Sequence, residues 1–132
     1  MDERSDSPSG AGLERLAWSR IAVAAGCLAL PGVTGRIWAG KPGTGSDVGA
    51  IVRSFAIRDL ALGLGLLRAV RASHPTRGWV EMGVLSDAVD LCFAAVGPAT
   101  PRRRLVVGIG VAGYVVAGTA ALLRGGDRAV AT

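Results

Sequence analysis

Hydrophobic positions along this chain gather into four long stretches, separated by short segments that collect charged residues, prolines and many of the glycines. The clearest stretch is LVVGIGVAGYVVAGTAALL, from Leu105 to Leu123, which is 19 residues without a charge. At about 1.5 Å rise per residue such a helix is roughly 28 Å long, close to the ~30 Å hydrocarbon thickness of a bilayer. Arg102, Arg103 and Arg104 precede it and Arg124 and Arg128 follow it, as cations at headgroup level do. Three further stretches have the right length but carry charges. One covers about residues 16–33 and is interrupted by Arg20; the next, 48–70, holds Arg53, Arg58, Asp59 and Arg68; the third, 78–97, holds Glu81, Asp87 and Asp90. Four such stretches with short connections predict an all-α fold, a four-transmembrane-helix antiparallel bundle in which consecutive spans pack side by side.

On this reading residues 1–12 form a disordered polar tail, and 13–124 form the membrane domain, with spans at about 16–33, 48–70, 78–97 and 105–123. Residues 125–132 are a C-terminal tail. The leading segment carries acidic as well as basic residues, unlike a secretory leader, so no cleaved signal peptide is expected. Thr34 to Asp47 reads as a turn-rich connection, and His74-Pro75, Gly97-Pro98 and Pro101 mark the other two. Seven basic residues (Arg4, Arg15, Arg68, Arg71, Arg77, Arg124 and Arg128) fall on one side, against five (Arg36, Lys41 and Arg102 to Arg104) on the other. That imbalance places both termini in the cytoplasm and the protein in the cell membrane as a multi-pass chain. Trp18 and Trp79 fall at one predicted interface and Trp38 beyond the other, as in an aromatic belt.

Composition agrees with a membrane chain: 50% of residues are hydrophobic and 19% are charged, which excludes a disordered, collagen-like or disulfide-rich secreted protein. Its length allows one domain. The excess of arginine over lysine reads as nucleotide-composition bias rather than chemistry, and no nucleic-acid partner is expected. Cys27 and Cys92 both fall inside spans, without the spacing of a disulfide or metal site, and are expected to be small buried apolar residues. No metal and no cofactor is expected. His74, beside Pro75, reads as a solvated loop residue.

Two glycine motifs imitate nucleotide sites. Gly108-Ile-Gly-Val-Ala-Gly113 matches a dinucleotide fingerprint, but the chain ends before the second strand and its acidic residue. Close helix approach explains the same residues, through Gly108 with Ala112 and Gly113 with Ala117. Gly35 to Lys41 resembles a phosphate loop, but Pro42 stands where the magnesium-binding hydroxyl belongs.

The charges inside the second and third spans carry the chemistry. On the insertion scale Arg53, Arg58 and Asp59 together cost on the order of 7 to 9 kcal/mol, against about 3 to 6 returned by the large apolar residues from Ile51 to Val70. The third span has the same deficit through Glu81, Asp87 and Asp90, with the opposite sign. Each span therefore needs the other. Depth counted along antiparallel helices pairs Arg58 with Asp87 and Arg53 with Asp90, with Asp59 completing the network and Arg20 with Glu81 forming a separate pair. Ionisable residues at the bilayer centre mark a ligand, ion or proton site by default, so Arg53, Arg58, Asp59, Asp87 and Asp90 are the expected ligand-binding residues.

The block from Arg53 through Arg58-Asp59 to the leucine-glycine repeats ending at Gly65, followed by Arg77-Gly-Trp and then Asp87 and Asp90, resembles small four-helix bacterial membrane proteins of a family of unknown function. The likeness covers roughly residues 15–124. It implies an integral membrane protein of four helices and supplies no activity.

These readings converge on a non-enzymatic role: binding or helping to move a small or lipid-like ligand, or serving as an accessory subunit of a larger membrane complex or homo-oligomer. Two alternatives stand beside it. One is a membrane-embedded isomerase or cyclase using Asp87 or Asp90 as general acid or base. The other is an assembly protein whose charges only fix helix packing.

Overall fold

The computed structural model describes residues 8–38, 40, 46–96 and 100–129. Among them there are five helices and no strand: α1 (Pro8–Ala29), α2 (Pro31–Trp38), α3 (Ser46–Arg71), α4 (Arg77–Val96) and α5 (Pro101–Ala129). The fold is all-α, as expected. Several boundaries differ. Residues 8–12, assigned to the tail, are the first turns of α1; 34–38, assigned to a loop, belong to α2; and 125–129 extend α5. Residues 1–7 and 130–132 of the expected tails lie outside the described residues.

The first predicted span is two helices. α1 stops at Ala29, and α2 begins at Pro31 at 104° to it. Proline cannot continue a helix, because its ring clashes with the preceding turn and it lacks an N–H, but it suits a first helical position. The break is closed locally, since the backbone N–H and the hydroxyl of Thr34 both donate to the carbonyl of Leu30, at 3.0 and 3.1 Å.

α3 ends in a Schellman turn: Ser73 takes a left-handed φ of 53°, and the amides of Ser73 and His74 donate to the carbonyls of Val70 and Ala69. Pro75 then prevents continuation. The turn brings α4 back antiparallel to α3, with Arg58 opposite Asp90 and Gly65 opposite Trp79. The expected side-by-side order holds only in part. α1 packs chiefly on α3, and α4 chiefly on α5, while direct contact between α3 and α4 is slight. Two helix pairs therefore face each other.

Small residues let the helices approach. A Cβ on Gly63 would lie 2.9 Å from Ile21 Cγ1 and 3.0 Å from the carbonyl of Ala17, so only glycine lets α3 sit this close to α1. On α5 the glycine pressed against a neighbour is Gly118, which faces Val84 of α4, whereas nothing lies within 4 Å of a Cβ on Gly113.

Charged side chains share the interior with apolar ones, and many large apolar side chains lie outside. The interior holds Leu66, Leu67, Val52, Val80, Val107 and Val111 and four small alanines together with the charged Arg20, Asp87 and Asp90, while Ile57, Leu64, Leu85, Phe93, Ile109 and Val116 lie exposed. Phe93 is 65% exposed and Arg20 only 4%. Cys92, expected to be buried, faces outward, and Cys27 is half-buried. By length and composition, Arg104–Arg124 is apolar enough to cross a membrane, and Gly10–Ala29 with Pro31–Trp38 qualify jointly as a bent pair.

Candidate functional site: an Arg/Asp chain between the helix pairs

One face of α4 carries Val80, Gly83, Asp87 and Asp90, all buried and spaced at three and four residues, so they form a single stripe. The stripe faces the gap between the two helix pairs. Arg20, near the middle of α1, enters that gap and meets Asp87 with both terminal nitrogens: Nη1 donates to Oδ1 at 3.2 Å and Nη2 to Oδ2. Arg58 of α3 grips Asp90 the same way, at 3.0 and 2.5 Å. Both pairs have the fork geometry that suits a guanidinium to a carboxylate.

Asp59 joins the two pairs. Its Oδ1 accepts from Arg20 Nη1 at 3.3 Å and from Arg58 Nη2 at 3.4 Å. Arg58 and Asp59 are successive residues, about 100° apart around the helix, so one is directed to α4 and the other to α1. The result is a continuous chain, Asp87–Arg20–Asp59–Arg58–Asp90, in which three carboxylates share two guanidiniums. Aromatic faces cover the cations: Arg20 lies 5.0 Å from the ring centre of Tyr114, and Arg58 5.1 Å from that of Phe55.

This arrangement corrects the expected pairings. Arg58 meets Asp90, not Asp87, and Arg20 meets Asp87 and Asp59, not Glu81. Glu81 instead pairs along its own helix with Arg77 at 2.6 Å, both exposed. Arg53 is exposed and makes no ion pair among the described residues. Five residues separate it from Arg58, a rotation of about 140° around the helix, so both cannot face α4. Of the residues singled out from sequence, Arg58, Asp59, Asp87 and Asp90 are brought together and Arg53 is not.

Sequence reasoning missed Arg20 as the central cation and Gly83 as its seat. A Cβ on Gly83 would lie 3.0 Å from Arg20 Nη2, so the absence of a side chain is what admits the guanidinium. The available signal was Pro31. Ending the first helix there puts Arg20 near the middle of α1 rather than near one end of a longer span.

A cavity of about 40 Å³ adjoins Arg58, Asp59 and Asp90, closed by Thr34 and Trp38 of α2 and by Phe55. That exceeds the ~10–15 Å³ of such space that one water molecule needs, so the cavity has room for water. Arg58 Nε is buried without a hydrogen-bond partner among the described residues. Among these residues no group of three or more His, Cys, Asp or Glu is arranged to hold a metal ion. No family model, curated protein or solved structure matches this chain.

Proposed function

We propose that this protein is a four-span integral membrane protein of the cell membrane, with both termini cytoplasmic, and that its Arg/Asp chain takes up and releases a proton. α1, α3, α4 and α5 are the spans, and α2 lies across the bundle end in the interface.

The many large apolar side chains on the outside, with Arg20, Asp87 and Asp90 buried inside, support the membrane reading. A water-soluble bundle buries its large apolar residues, whereas lipid accepts them on the outside and drives charges inward. The exposed charges support it too. On α4 they stop at Glu81 and on α5 they are confined to residues up to Arg104 and from Arg124 on, which leaves apolar bands of about 22 and 28 Å. α3 and α4 are too charged to insert alone, and the chain of ion pairs offsets that cost. α2, at 104° to α1 and ending in a tryptophan, suits an interfacial helix.

One observation carries the ligand. Arg20 with Asp87 and Arg58 with Asp90 form two neutral, forked pairs, and Asp59 is the carboxylate left over, held on one oxygen only at the two longest distances in the chain. An uncompensated charge inside a membrane is costly, and a proton on Asp59 neutralises it. The neighbouring cavity has room for water beside Asp59, and water carries protons. Asp87 and Asp90 are each engaged at both oxygens, which favours this reading over one in which either serves as a catalytic acid or base.

The test is infrared difference spectroscopy on the protein in lipid nanodiscs. A protonated-carboxyl band is expected at neutral pH, shifted in heavy water, and absent in Asp59→Asn while that variant stays folded. A wild-type spectrum without the band would mean that all three carboxylates are ionised and would leave the charges an assembly role alone.

A further inference from the structure

Between α1 and α5 lies a second, wider depression of about 490 Å³. Gly12 of α1 and Gly110, Gly113 and Ala117 of α5 line it, with Arg15, Ser19 and Tyr114 as its polar members. A Cβ at Gly12, Gly110 or Gly113 would meet nothing within 4 Å. These glycines therefore differ from Gly63, Gly83 and Gly118, whose missing side chains are filled by neighbours in the same chain. They open a trough that no part of the described protein enters, and its volume falls in the range of small-molecule sites.

The charge beside the trough identifies what fits. Arg15 is exposed and takes part in no ion pair among the described residues, because the adjacent Glu14 accepts from Arg71 at 3.1 Å. Arg15 lies about 10 Å inside the N-terminal end of α1 and about 7.5 Å from Arg20 toward that end, and its long side chain reaches from there toward the headgroups in the membrane reading. A lone guanidinium at headgroup depth above an apolar trough complements one kind of molecule: an anion carrying a hydrocarbon chain.

Resting on the membrane reading, we propose that the α1/α5 trough binds an anionic phospholipid, with its phosphate on Arg15 and an acyl chain along Gly113 and Ala117. The trough contains none of the charged members of the Arg/Asp chain, though it adjoins that chain through Tyr114, whose ring covers Arg20. The lipid-like ligand expected there from sequence finds its fit here instead.

Native mass spectrometry of the protein released from micelles doped with phosphatidylglycerol or phosphatidylcholine of identical acyl chains provides the test. About fivefold tighter retention of phosphatidylglycerol is expected, from the ~1 kcal/mol that one cation contributes near a lipid surface. Arg15→Gln should abolish the preference, Gly113→Leu should remove binding of both lipids, and Arg124→Gln should change neither. Equal retention of the two lipids, or a preference that survives Arg15→Gln, overturns the proposal. So does a wild-type dimer that Gly113→Leu converts to monomer, since the trough would then seat a second copy. A protein recovered in the soluble fraction without detergent refutes the membrane reading itself, before any lipid is added.

Discussion

Arg20 and Asp87 meet in the gap between two helix pairs, each only 4% exposed, with the guanidinium passing over Gly83 to reach both carboxylate oxygens. Few interactions in this protein tie α1 to α4, so this pair fixes how the α1·α3 half sits on the α4·α5 half. Removing one member of a buried pair leaves the other charged and unpartnered, at a cost of about 3–5 kcal/mol. Arg20→Gln and Asp87→Asn should each lose that stability in detergent, measured by thermal unfolding followed through tryptophan fluorescence. The double variant Arg20→Asp with Asp87→Arg should recover part of it. Two singles within ~0.5 kcal/mol of the parent would show that the pair contributes nothing to assembly.

The two arginines of α3 make opposite predictions. Arg58 holds Asp90 and touches Asp59, whereas Arg53 points outward without an ion pair among the described residues. Arg58→Gln should destabilise by about 3 kcal/mol or more, and Arg53→Gln should stay within about 0.5 kcal/mol. Comparing the two in one unfolding assay checks the register of α3 directly. Equal effects would mean that the face of the helix is misassigned.

Glycine substitutions probe the close approaches. Gly63→Ala forces a methyl against the α1 backbone, and Gly83→Ala forces one against the Arg20 guanidinium, so each should cost about 1–3 kcal/mol. Gly26→Ala meets nothing within 4 Å and should be neutral or stabilising by up to about 1 kcal/mol, from better helix propensity. Midpoints of thermal unfolding for the three variants rank them, and a destabilising Gly26→Ala would contradict the packing of α1.

Topology is accessible by labelling. With Cys27 and Cys92 replaced by alanine, Ala72→Cys and Thr100→Cys place single thiols at exposed positions at opposite ends of α4. A membrane-impermeant maleimide on intact cells should label Thr100→Cys and leave Ala72→Cys unmodified until the cells are opened. Labelling of both positions in intact cells would exclude the multi-pass arrangement proposed here.

How much of this was legible in the sequence differs from residue to residue. The helix through Leu105–Leu123 follows from an uninterrupted apolar run, and the shared face of Asp87 and Asp90 follows from their spacing of three. Arg58 and Asp59 were recognised as chemistry because charges in the middle of an apolar stretch need partners. The partners themselves were misassigned for two reasons. Pro31 lies inside the apolar stretch of the first span, which displaces the apparent depth of Arg20, and the consecutive spans α3 and α4 are expected to pack along their length, although α3 rests mainly on α1 and meets α4 only slightly. Depth along a helix can be counted from sequence, but the direction in which a side chain faces depends on which helices flank it. The trough beside Arg15 was invisible for the same reason, since glycines that admit a neighbour and glycines that leave a gap read alike.

The separation of Arg20 from its partners along the chain has a consequence for biogenesis. Asp59 is 39 residues downstream and Asp87 is 67. At ribosomal rates of about 5–20 residues per second, the guanidinium waits roughly 3 to 13 s for Asp87 to be synthesised. In the membrane arrangement proposed above, Asp59 is the first counter-ion to be synthesised for Arg20, and because that contact persists at 3.3 Å in the finished protein, Asp87 joins it and does not replace it.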